Sequence, residues 1–141
     1  MAAISISRVV VDTNVVFEGL TKQGGAAGLV VDAWLVGLLE VCVSNAIAYE
    51  YADVLSRKLS LARWQKLQPV LGTLLALASF TTIYYSWRPS SPDPGDDSVI
   101  DCAMNASATV ITSNVRDFQR AREALNLPVM TPQHLVTILA A

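Results

Sequence analysis

The stretch Arg8-Val9-Val10-Val11-Asp12-Thr13-Asn14-Val15 decides how the rest of the chain is read. Its valines follow one another without alternation, the pattern of a strand buried on both faces, as in a parallel sheet. The run ends in an acid, a hydroxyl and an amide, and a helix-like sequence follows at once. In open α/β sheets, ligands bind just beyond the carboxyl ends of the strands. Asp12 would then stand at the rim where such folds do their chemistry. The competing reading is a helix cap, because Asp, Thr and Asn all favour that position. The remaining chain must decide between a cap and a site.

With 141 residues, 52% of them hydrophobic and 16% charged, the chain reads as a single domain over 1–141 with a real core, not as a disordered tail. Its longest apolar stretch, near Val70–Phe80, is interrupted by Gly72, Thr73 and Ser79 and falls short of the roughly 20 residues that cross a bilayer. The amino terminus lacks the basic start and apolar centre of a signal peptide. Cys42 and Cys102 both lie in apolar settings and are expected as buried thiols, so a cytoplasmic, membrane-free protein is expected. A formal charge of −2 argues against a broadly basic surface that coats nucleic acid. It leaves room for a nuclease whose acids meet phosphate through bound cations. So much apolar residue in a small domain also implies surface covered by another chain.

Outward from the first strand, Gly24–Gly28 reads as a joint and Leu29–Leu39 as a buried helix. Glu40–Ser44 is a second strand, and Ser44 or Asn45 can cap a helix over Ala46–Lys58. Leu59–Leu67 and Pro69–Ala78 read as two helices, with Pro69 in a first turn. Phe80–Tyr85, rich in β-branched and aromatic residues, is the expected third strand. Ser86–Gly95 is a proline-punctuated loop, and Asp96–Ala106 a helix opening on acids, where the macrodipole favours them. Thr109–Thr112 and Pro128–Met130 are expected as strands four and five around a short helix, Arg116–Leu125. Thr131-Pro132 then opens the last helix. Strands separated by helices predict a three-layer α/β/α sandwich around a mainly parallel sheet of four to five strands.

Of the 12 acids, several fall just beyond a strand or early in the helix after it. Asp12 follows strand one, and Glu50 lies one to two turns into the helix after strand two. Asp96, Asp97 and Asp101 open the helix after strand three. Asn114 and Asp117 follow strand four. In a parallel sheet all these points share one rim. Converging carboxylates repel, and a hard divalent cation, Mg²⁺ or Mn²⁺, is their natural counter-charge. Asp97 and Asp101 form an i, i+4 pair of like charge, unfavourable without a cation between them. A zinc site has no support, since the one histidine, His134, lies near the far end and Cys42 sits inside a strand. A metal held by acids suits phosphoryl chemistry.

These motifs, in this order, resemble the PIN domain, the nuclease module of VapC-type toxins from toxin–antitoxin systems. Val10-Val11-Asp12-Thr13-Asn14 is similar to the family's opening, and Ser44–Tyr51 to the segment carrying its second acid. Asp93–Ala103 resembles the third-acid segment, and Thr112-Ser113-Asn114-Val115-Arg116-Asp117-Phe118 the fourth. The resemblance implies metal ligands at Asp12, Glu50 and Asp96, with Asp117 completing the set and Asn14 orienting Asp12 or a bound water. Thr13, Asp97, Asp101, Thr112 and Asn114 would support them. The motif position favours Asp96 as ligand, helical spacing to Asp101 favours Asp97, and both stay open. Many relatives carry Asp where this chain has Asn114, which bears on a second metal.

The implied reaction is metal-dependent hydrolysis of RNA phosphodiester bonds within the strand. Arg57, Lys58, Arg63 and Lys66 form one basic group and Arg116, Arg120 and Arg122 another. Arg57, Lys58 and Arg116 are the candidates for phosphate contact. A homodimer or higher oligomer and an antitoxin lying in an apolar groove are the expected partners. The alternative is a catalytically weak domain of this kind that binds RNA or protein without cutting. A phosphotransferase ranks below both, because Asn14 stands where its second Asp would be needed.

Overall fold

Val9, Val10 and Val11 are completely buried, as a strand covered on both faces must be. In the computed structural model, which describes residues 8–86 and 94–141, they belong to β1, Arg8–Val11. The other strands are β2 (Glu40–Val43), β3 (Ser79–Phe80), β4 (Thr109–Ile111) and β5 (Val129–Met130). All pairings are parallel, in the order β3-β2-β1-β4-β5. The chain builds outward from β1 through β2 to β3, then returns to β1's other side for β4. The reversal between β1 and β4 is the topological switch point, where such sheets open a crevice for ligands. Val11 pairs with Ile111 there, so both strands end level at that crevice.

The helices are α1 (Thr13–Thr21), α2 (Ala26–Leu35), α3 (Asn45–Lys58), α4 (Leu61–Leu77), α5 (Pro94–Ala106), α6 (Gln119–Leu125) and α7 (Pro132–Ala140). Gly24 and Gly25 turn the chain into α2 at φ 74° and 84°, a conformation that side chains with a Cβ rarely adopt. Ser44 caps α3, its hydroxyl accepting from the Ile47 amide at 3.3 Å. Thr131 caps α7 in the same way, accepting from the His134 amide at 3.1 Å, with Pro132 in the first turn. Helix α5 packs across β1, β2 and β4 and also meets α3. Its buried face, Val99, Ile100, Cys102 and Ala103, joins the sheet's core.

Four sequence expectations need correction. The buried helix expected over Leu29–Leu39 is instead Ala26–Leu35, with Leu29 exposed on it and Val36 and Leu38 exposed beyond its end. Leu61–Leu77 is one continuous helix that carries Pro69 inside it, not two helices. Pro69 and Gln65, whose carbonyl loses its amide partner, are both exposed, so water can satisfy the freed group. The third strand stops at Phe80. Residues 81–86 leave the sheet, after one last bond from the Thr81 amide to the Val43 carbonyl at 2.7 Å. The helix expected from Arg116 begins instead as a 3-10 turn, Val115–Phe118, and becomes α-helical at Gln119. Residues 87–93 of the expected loop lie outside the described residues, as does Met1–Ser7. Among the described residues no helix is long and apolar enough to cross a membrane.

Both cysteines are buried and free, as expected. Burial pushes both thiols up, Cys102 to about 12 from an ordinary 9.0, and the polar influence of Thr81 only partly offsets this. A raised thiol pKa favours the protonated native form. Its contribution to stability is therefore complete below about pH 9 and is lost as pH rises toward 12. Native protein should leave both thiols unmodified by a disulfide-exchange reagent at about pH 8, and denatured protein should show both. Its urea midpoint should fall progressively above about pH 9; a midpoint that holds steady to pH 11 would count against this burial.

Candidate active site at the switch point of the sheet

Asp12 occupies the N-cap position of α1, yet its side chain makes no capping bond there. Its carboxylate, 5% exposed, turns across the switch point, where Oδ2 accepts the Thr112 hydroxyl at 2.8 Å. The Asp12 amide donates to the Ile111 carbonyl at 2.9 Å, tying the same two strand ends through the backbone. Thr112 is fully buried, and its oxygen also accepts the Asn114 amide at 3.0 Å. A buried carboxylate is costly unless hydrogen-bonded, so this is an acid held in place and not a helix cap.

The next residue makes the second link. The Thr13 hydroxyl donates to Glu50 Oε2 at 3.1 Å, which brings the half-buried acid of α3 beside the end of β1. Tyr51 adds a third, its hydroxyl donating to the Val11 carbonyl. The ring is completely buried and meets Trp34 edge-on at 6.4 Å between centroids. Burial first, then the nearby charges of Asp12, Cys102 and Glu50, hold the Tyr51 phenol protonated far above its ordinary range. Val11-Asp12-Thr13 and Glu50-Tyr51 are thus stitched together at two points. Tyr51 was not among the residues expected at the site. The available signal was a tyrosine beside an acid, because a buried phenol needs a polar partner.

Asp96, Asp97 and Asp101 are all buried in α5, the first two in its opening turn. Helix α5 packs on β1 and α3, and its last residue meets the start of β1, where Arg8 donates to the Ala106 carbonyl at 3.0 Å, so its opening turn with Asp96 and Asp97 is directed toward the Asp12 end of the sheet. Asn14 is exposed in the first turn of α1. Asn114 and Asp117 follow β4 but are exposed, unlike the other acids of the set. Among the described residues, no group of three or more His, Cys, Asp or Glu side chains is arranged to hold a metal ion. The structure thus joins Asp12 to Thr112 and Thr13 to Glu50, and these two bonds do not extend to Asp117.

The basic candidates separate. Arg57 pairs with Asp53 at 3.0 Å, and Lys58 lies over the Phe17 ring at 5.3 Å from its centroid. Both end α3, seven and eight residues beyond Glu50 and so about 10–12 Å further along the helix axis. Arg116 is exposed in the 3-10 turn that follows β4.

The sheet is wholly parallel, with the buried Asp12 carboxylate at the switch point between β1 and β4. The family model "PIN domain" matches residues 8–116, and the chain belongs to that family. Among solved structures, FitAcB from Neisseria gonorrhoeae is similar at a TM-score of 0.64 and 20% identity, covering 89% of this chain and 99% of that one. VapBC2 from Rickettsia felis, bound to a DNA fragment from their promoter, gives 0.63 and 12%, covering 88% and 98%. PAE2754 from Pyrobaculum aerophilum gives 0.62 and 13%, covering 99% and 100%. No curated protein matches the chain at a significant level.

Thr112→Val keeps the shape of the side chain and removes the donor to Asp12. It should cost about 1.5–3 kcal/mol in urea unfolding at neutral pH, the range for a bond to a charged group. A variant as stable as the parent would mean that the buried carboxylate does not depend on that bond.

Proposed function

We propose that this PIN domain is a Mg²⁺- or Mn²⁺-dependent endoribonuclease, the toxin of a toxin–antitoxin pair. The observation that carries the reading is the buried Asp12 carboxylate, turned across the β1–β4 switch point beside the Thr13–Glu50 link. Asp12, Glu50 and Asp96 or Asp97 are the proposed ligands, with Asp117 the outermost of the set. The donors are all carboxylate oxygens and both thiols are held protonated, a set that suits hard Mg²⁺ or Mn²⁺ and not zinc. Bound there, the cation would activate water and stabilise charge on the reacting phosphate.

The chain's own residues prepare that chemistry. Thr112 and Thr13 hold Asp12 and Glu50 in position by donating to them, so little reorganisation is left for the reaction. Exposed Asn14 would orient Asp12 or a water, and exposed Arg116 would meet a backbone phosphate, in preference to Arg57 and Lys58, which are engaged elsewhere. Asp97 and Asp101 share one face of α5 and support the third ligand.

The structural neighbours VapBC2 and FitAcB support an antitoxin as partner for a protein working in the cytoplasm. Exposed Leu29, Val36 and Leu38 border a groove of about 370 Å³ completed by Val136 and Leu139 of α7. Its aliphatic lining suits a second protein chain, an antitoxin or another copy. A second reading, a domain that binds without cutting, is favoured by the exposed Asp117 and by the lack of a ready three-residue cation site among the described residues.

Purified protein should cleave single-stranded RNA in Mn²⁺ or Mg²⁺ and stop on chelation. Asp12→Asn should lower kcat by about 10²–10³-fold. Undiminished cleavage by that variant removes the nuclease reading. Calorimetric titration with Mn²⁺ separates the two readings, since the binding-only domain predicts no heat that depends on Asp12.

A further inference from the structure

The peptide group between Val11 and Asp12 is held from both sides. Its N–H, the Asp12 amide, donates to the Ile111 carbonyl at 2.9 Å and so faces β4. In a trans peptide the carbonyl points the opposite way, which turns the Val11 oxygen toward the β2 side of β1. The registered pairs of the β1–β2 ladder are Arg8–Glu40 and Val9–Val41, and they do not reach Val11. A buried carbonyl beyond the ladder needs another donor. Tyr51 of α3 supplies it, its hydroxyl donating to the Val11 oxygen across 40 positions of sequence. One peptide plane at the end of β1 is thus fixed by a strand on one flank and by a side chain on the other.

That plane carries Asp12. Its tilt sets the direction of the Asp12 Cα–Cβ bond, and with it the place where the carboxylate meets the Thr112 hydroxyl. The same tyrosine directly follows Glu50 in α3, and Glu50 Oε2 accepts the Thr13 hydroxyl at 3.1 Å. The phenol is therefore a spacer, running from the helix backbone beside Glu50 to the strand backbone beside Asp12. Packing keeps that spacer in one orientation. The ring is completely buried, and Trp34, itself buried, meets it edge-on at 6.4 Å between centroids. With no exposed surface, Tyr51 cannot touch a substrate, so whatever it contributes passes through Asp12 and Glu50.

We propose that Tyr51 is a positioning residue for the cation site, setting the separation and aim of the Asp12 and Glu50 carboxylates through the Val11 carbonyl. The inference rests on the metal-dependent reading of those acids and adds what fixes their spacing. Small divalent cations, Mg²⁺ above all, tolerate little error in the placement of their oxygen ligands. Groups that orient such ligands from behind typically contribute about 10–100-fold to metal affinity or activity. Thr112 and Thr13 hold the carboxylates themselves, whereas Tyr51 holds the backbone from which one of them extends. Phenylalanine at this position fills the same space and leaves the buried Val11 carbonyl without its donor, so the peptide is free to tilt.

The test uses the full chain and its Tyr51→Phe, Asp12→Asn and Leu74→Val variants. Leu74 is a fully buried core residue of α4, which packs on α2 and α3, so its variant controls for lost stability alone. Each protein is measured at a temperature where circular dichroism shows it folded. Mn²⁺ affinity is read by calorimetry, and kcat and KM on a labelled single-stranded RNA over a range of Mn²⁺ concentrations. Tyr51→Phe should raise Kd for Mn²⁺ by about tenfold or more and leave KM for RNA within about threefold, with kcat falling most at low Mn²⁺. Leu74→Val should keep the parent's Mn²⁺ affinity. A Tyr51→Phe protein that binds Mn²⁺ as tightly as the parent overturns the proposal and keeps the ribonuclease. A Leu74→Val protein as weak for Mn²⁺ as Tyr51→Phe also overturns it, since the loss is then one of stability. Mn²⁺ binding that depends on both Tyr51 and Asp12, without RNA cleavage, keeps the positioning role and rejects the ribonuclease. A parent with no Asp12-dependent Mn²⁺ binding rejects both.

Discussion

A negative charge taken out of water at the end of β1 is the constraint around which this molecule is arranged. The Asp12 carboxylate is almost wholly buried, and burial of an ionised group is tolerated only where hydrogen-bond donors or counter-charges meet it. One donor comes from Thr112, 100 positions away in sequence, and can reach it only because β4 lies beside β1. The parallel order of the sheet is therefore what makes Asp12 possible. Its cost is accepted at the one place in the sheet where the chain reverses and a crevice opens.

From that point the links run outward. Thr13 reaches Glu50, Tyr51 reaches back to Val11, and Trp34 packs against Tyr51, so α3 is registered against β1 by polar contacts set in apolar packing. Helix α5 lays its acids over the same end of the sheet, while Val99, Ile100 and Cys102 press its other face into the core. Its stripe continues to Asn105, which sets the course of Tyr84-Tyr85. Acids, their supports and the aromatic segment are thus fastened to one frame.

Much of this was legible in the sequence, for identifiable reasons. The unalternating valines gave away a doubly buried strand, and acids recurring after successive strands gave away a common rim. Ser44 and Thr131 announced helix starts that are present. Other features depended on tertiary context. Pro69 looked like a boundary because a proline removes a helix bond, but an exposed position lets water take the carbonyl it frees. Phe80–Tyr85 has strand propensity throughout, yet only its first residue lies in the strand; after the Thr81 amide bonds to Val43 the chain leaves the sheet, and a side-chain amide from α5 takes the backbone of Tyr84 and Tyr85. For Asp12 alone, cap and site could not be told apart from sequence. The bond to Thr112, with no capping bond to α1, separates them. Asp117 read as an equal member of the acid set, and its exposure shows how little a linear motif says about burial.

The most direct test of the central claim is the anomalous scattering of crystals soaked in Mn²⁺. A peak bonded to the Asp12 carboxylate, within reach of Glu50 and the opening turn of α5, is the predicted result. A soaked crystal with no peak at the β1–β4 crevice, or with manganese held only by acids elsewhere on the surface, would contradict the account.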